Sequence, residues 1–279
     1  MIETLLFLAA PFTVCLLLVG ILSYLGNHIL SRGIIFIDIA VAQIAALGTM
    51  IGILCGLPDG SFGASLFSLG FTLVVVAIFA LSKFEHSEIS QEVIIGIIYG
   101  ISLAVAMLLV DITPGGSNFI QETLTGNILW VTWRDVLVTF LVFAGVGLIH
   151  LIYGRKFILI SSGHARQFTK SQVRRWDLLF YVTFGLVVVR AVDIGGIFVV
   201  FMYLIGPAAI ATLLTENWKS RFILAWLMGF IGSVIGIFLS YTFNYPNGPT
   251  IVCVLGLMLI LTGLVQKIIF GSNVKFRRV

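Results

Sequence analysis

Charge is what this sequence has least of. Asp, Glu, Lys and Arg make up 10% of its 279 residues, while 59% are hydrophobic. A soluble domain carries about 25% charged residues, so a soluble fold is excluded. No polar stretch is long enough to fold alone, which excludes a soluble enzyme on an anchor and leaves one membrane domain over 1–279. No GxxxxGK[ST] loop occurs, so the chain has no phosphate cradle of its own and is expected to bind no nucleotide or other cofactor. GxSxG and HExxH are also absent, as is any nucleophile–base spacing, so an enzyme is not expected. The three cysteines, Cys15, Cys55 and Cys253, form no CxxC and read as apolar packing. His28, His86, His150 and His164 have no metal-ligand spacing. The amino terminus lacks a basic region and a small-residue cleavage site, so the run from Leu5 reads as a retained first span.

What charge there is has a place. Residues 154–177, the longest polar run, hold Arg155, Lys156, Arg166, Lys170, Arg174 and Arg175 against one acid, Asp177. Loops rich in Lys and Arg stay on the cytoplasmic side, so the net charge of +4 reads as a topology signal and not as a nucleic-acid footprint. The apolar runs then predict an all-α polytopic bundle of eight or nine spans: 5–32, 34–54, 62–81, 92–111, 136–153, 178–189, 193–214, and two more separated by Asn244–Pro249. With 154–177 inside, the Arg32 turn, 83–91, 215–221 and the tail also fall inside. The loops 55–61 and 244–249, and for nine spans the amino terminus, fall outside. Residues 113–133, with Gly115-Gly116, are too polar to cross and read as an interfacial or re-entrant half-helix, Trp130 and Trp133 at headgroup level. Eight spans follow if 178–193 only dips into the membrane.

Few residues could carry chemistry. Asp38 lies inside the second apolar run, where a carboxylate costs several kcal/mol unless it faces a wet cavity or a partner. It either lines a translocation path or hydrogen-bonds a neighbouring helix near the interface. Counted from Gly33, it sits about 9 Å into the span, and Gln43 lies about 140° round the same helix. Gln43 reads as a path residue or an interhelical hydrogen bond. Glu92 opens the fourth span, as a cap on the helix dipole or a path residue. Arg190 and Asp193 are three apart and read as a structural pair. Gly206-Pro207 is the only candidate for a broken helix.

Several of these residues stand in a pattern. Arg32-Gly-Ile-Ile-Phe-Ile-Asp38-Ile-Ala-Val-Ala-Gln43-Ile-Ala-Ala-Leu-Gly48 resembles the second-span motif of the metal-ion ABC permeases, which import zinc, manganese or iron(II). Gln91-Glu92-Val-Ile-Ile-Gly96, Leu124-Thr-Gly126-Asn-Ile-Leu129-Trp130 and Gly195-Gly196 through Gly206-Pro207-Ala-Ala-Ile-Ala211 are similar to later signatures of that family. The resemblance implies a homodimer in a bacterial plasma membrane. A separate cytoplasmic ATP-binding subunit would dock on a coupling helix in 161–172, with Gly163, His164, Ala165 and Arg166 at the contact. An extracytoplasmic metal-binding protein would deliver the ion. ATP would be used by the partner, and Asp38 would be the metal ligand. Many members carry an Asp and a His four apart in this span; here Gln43 takes the His position, and the acid is displaced by one to Asp38. Amide and carboxylate suit harder ions than zinc. The other expectations are a permease for an iron chelate or other small ligand, and a carrier that needs no ATPase.

Overall fold

The computed structural model describes residues 2–81 and 90–270, so the loop expected at 83–91 lies almost wholly outside the described residues and the tail beyond 270 wholly outside them. Among the described residues the backbone forms nine α-helices: α1 (Ile2–Arg32), α2 (Ile37–Leu54), α3 (Phe62–Leu81), α4 (Gln91–Leu109), α5 (Gly116–Thr125), α6 (Trp133–Ser161), α7 (Lys170–Leu214), α8 (Trp218–Phe243) and α9 (Asn247–Phe270). Eight are long and apolar enough to cross a membrane; α5 is the exception.

At 45 residues, α7 would span about 68 Å if straight, more than twice a hydrocarbon core of about 30 Å. It is not straight. Gly196 has φ +71° and ψ 167°, a conformation open essentially to glycine alone, and there the helix doubles back. Asp177 lies on Arg32 at the end of α1, Gly195 lies beside Leu18, and Leu204 and Ala208 press on Gly26. After α7 ends, Trp218 packs on His28. The chain therefore rises along α1 to about Leu18 and returns. Counting both arms, α1 starts at one end of the bundle and α9 finishes at the other, where Gln266 donates to the Leu213 carbonyl. That odd parity puts the start of α1 and the end of α9 on opposite sides, as the nine-span expectation also does. The break expected at Gly206-Pro207 lies instead ten residues earlier, and the helix runs on through Pro207.

α7 packs against α1, α2, α3, α5, α6, α8 and α9, so its two arms form the axis of the bundle. Gly126 and Gly196 meet back to back, with no room at either for a Cβ, and the Asn127 N–H donates to the Ile194 carbonyl at 3.1 Å. This fixes α5 on the α7 turn. A ten-residue helix is only about 15 Å long, in keeping with a re-entrant element, and Trp130 and Trp133 beyond it are exposed.

The basic stretch is mostly helix, not loop. α6 continues eight residues past 153, and α7 begins at Lys170, capped by a reciprocal pair in which Thr169 and Gln172 each accept from the other's backbone N–H. Only 162–169 turn between them, and the expected coupling helix is a single 3₁₀ turn, Ala165–Gln167. Both helices run on past the ends of their apolar runs.

Candidate functional site

α2 is the most buried of the spans. It starts at Ile37, not at Gly33, because a turn over residues 33–36 intervenes. Asp38 is thus in the first helical turn and not 9 Å into the span. It is 1% exposed, with no side chain bonded to either carboxylate oxygen; the polar groups beside it are the backbone N–H groups of Asp38 and Ile39. Such a group is costly unless a proton or a cation accompanies it. Glu92 stands in the first turn of the adjacent α4, as expected of an acid at the positive end of a helix, but its hydrogen bond goes to another helix. Its Oε1 accepts from the Phe36 N–H at 3.1 Å, so it caps the start of α2, while Oε2 is buried without a partner.

Gln43 lies five residues, about 7.5 Å, further along α2. It lines a cleft between α2, α4 and α5, together with Met50, Ala106, Phe119 and Thr123. The structure therefore sets Asp38 and Gln43 on one buried helix but in different surroundings, with Asp38 nearer the basic end. Among the described residues no three His, Cys, Asp or Glu side chains converge as a metal site.

Gly163, His164 and Arg166 are exposed on the 162–169 turn and Ala165 is half-buried; Gly163 has φ +81°. Arg190 makes its direct ion pair with Asp135 and not with Asp193, on which it acts only through its charge. Its Nη2 reaches Asp135 Oδ1 at 3.3 Å, and its Nε donates to Thr139 Oγ1 at 3.0 Å, tying α7 to α6. Asp193 is exposed. Of the cysteines, Cys15 is buried, whereas Cys55 and Cys253 are exposed.

A second polar group was not anticipated. Arg32 Nη1 donates to Asp177 Oδ1 at 2.7 Å, with both side chains buried, and Arg32 Nε donates to Ser161 Oγ at 3.0 Å. His28 Nδ1 lies 3.0 Å from the same Ser161 Oγ. One turn deeper, His150 bridges Tyr24 (3.1 Å) and Thr183 (2.9 Å). The available signals were the lone acid among six bases and the four-residue spacing of His28 and Arg32, which puts both on one helix face.

An all-helical bundle with ionisable groups held inside its spans and a basic turn at one end defines a polytopic membrane transport protein. The chain belongs to the ABC 3 transport family, whose sequence profile matches residues 5–266. Among curated relatives it is 28% identical over 240 residues to the manganese transport system membrane protein MntC of Listeria monocytogenes (85% of this chain, 82% of that one). It is also 28% identical over 199 residues to the chelated iron transport system membrane protein YfeC of Yersinia pestis (68% and 67%). Among solved structures, PsaBC from Streptococcus pneumoniae, in complex with Fab, superposes with a TM-score of 0.77 at 25% identity, covering 94% of this chain and 93% of that one.

Proposed function

We propose that the chain is the permease of an ABC importer that passes a divalent manganese or iron ion along α2 into the cytoplasm of a bacterium. The carrying observation is Asp38, a buried carboxylate with no side-chain partner and no counter-charge at the basic end of the most enclosed span. Glu92 Oε2, buried without a partner, opens the neighbouring helix. Carboxylate and amide oxygens suit Mn(II), and the relative named for manganese transport agrees with that chemistry. On this reading a separate ATP-binding subunit docks on Gly163, His164, Ala165 and Arg166. An extracytoplasmic metal-binding protein supplies the ion, two copies of the chain form the path, and the protein sits in the inner membrane.

A chelate as cargo is the second reading. It is favoured by the cleft at Gln43, where Met50, Ala106 and Phe119 offer mostly apolar contact. Proteoliposomes holding the chain and its co-expressed ATPase decide between the two. We expect ATP-dependent uptake of radioactive Mn(II), competed by free Fe(II) and not by a ferric chelate. Competition by the chelate alone favours the second reading, and uptake without the ATPase overturns both.

A further inference from the structure

Arg32 closes α1, and its guanidinium bridges the two helices that flank the 162–169 turn. Ser161 is the last residue of α6 and Asp177 lies about two turns into α7; Arg32 reaches the first through Nε and the second through Nη1. The guanidinium carbon also lies 4.0 Å from the Phe180 ring centroid, so the group is clamped on three sides. His28, one turn back on α1, shares Ser161 and so makes a second tether to α6.

The other side of Arg32 leads directly to α2. Residues 33–36 are pinned by Gly33 N–H to Leu30 O, Ile34 N–H to Ile29 O and Ile37 N–H to Ile34 O, and Phe36 N–H is held by Glu92. Asp38 is six residues from Arg32 along a backbone with little slack.

A buried ion pair adds little stability compared with apolar residues of the same volume, and a lysine cannot donate in two fixed directions at once as a guanidinium does. What the arrangement supplies is register between three helix ends. We infer that Arg32 is a positioning residue that converts displacement of the 162–169 turn into displacement of α1 and of the first turn of α2. This rests on the reading that an ATPase docks on that turn.

The test uses the chain complexed with its ATP-binding subunit in proteoliposomes and reads Mn(II) imported per ATP hydrolysed, alongside co-purification and thermal melting of the complex. For Arg32→Met we expect hydrolysis within about twofold of the parent while metal per ATP falls at least about tenfold, a coupling loss of ordinary allosteric size. Arg32→Lys keeps the charge without the fork and should fall between. Metal per ATP unchanged in Arg32→Met overturns the inference, and so does a proportional fall of uptake and hydrolysis together with melting temperature, the mark of a simple strut. If Arg32→Met yields no protein, Arg32→Lys at parental metal per ATP overturns it equally. A parent chain that retains no ATPase sinks the docking reading itself, before any variant is compared.

Discussion

Asp38 has a buried carboxylate with no side-chain partner, only the backbone N–H groups of its own helical turn. Asn keeps the shape and can still accept from that backbone, so Asp38→Asn separates charge from shape. We expect melting of the detergent-solubilised protein to stay level or rise, and metal uptake to fall by about tenfold or more, because only the charged form offsets the desolvation of a cation. Normal uptake at normal expression would take Asp38 off the path. The contrast is Arg32, whose guanidinium is bonded on both sides, to Asp177 and to Ser161. Asp38 was legible in the sequence because an acid in an apolar run has no ordinary explanation. The Arg32–Asp177 contact was not, because its partners are 145 residues apart and no local pattern records which helix ends meet. Arg190 taught the same lesson: its i+3 neighbour was a plausible partner, but Asp135 on another helix took it.

Among the helices, α7 shows what an apolar run conceals. The sequence marks where lipid begins and ends, and so 178–189 looked short, whereas the helix starts at Lys170 in polar surroundings where Lys, Arg and Gln are good helix formers. The half-helix α5 was legible because Gly115-Gly116 and mixed polarity cannot cross a bilayer; that it docks on the α7 turn was not. The turn sets up a comparison. Gly196 and Gly33 both have positive φ, but a Cβ at Gly196 runs into the backbone of Thr125 and Gly126, and at Gly33 it meets nothing within 4 Å. Gly33→Ala should cost about 1–2 kcal/mol from backbone conformation alone. Gly196→Ala adds the collision and should abolish the folded protein, read as lost monodispersity in detergent. Equal behaviour of the two variants would mean that the Gly126–Gly196 contact carries no weight.

For the whole molecule, odd parity was readable because basic segments alternate with charge-poor loops, and the hairpin in α7 returns to its starting side without changing that parity. With Cys15, Cys55 and Cys253 replaced, a cysteine at exposed Tyr245 should react with an impermeant maleimide only from outside, and one at His164 only from the cytoplasm; the reverse pattern would invert the bundle. The depth of the α7 turn has a consequence for how the chain is made. Leu18, beside the turn, is fourteen residues from Arg32, about 21 Å along α1, so the reversal happens short of the far side of a core about 30 Å thick. A lone hairpin would present opened carbonyls to lipid at that depth, and the Asn127 N–H is what occupies one of them. Synthesis order puts the donor before the acceptor: residues 116–130 have already left the ribosome when Gly196 emerges. On that order the α5 donor exists before the α7 carbonyl needs it, and the cost of the opened turn falls only when the two meet.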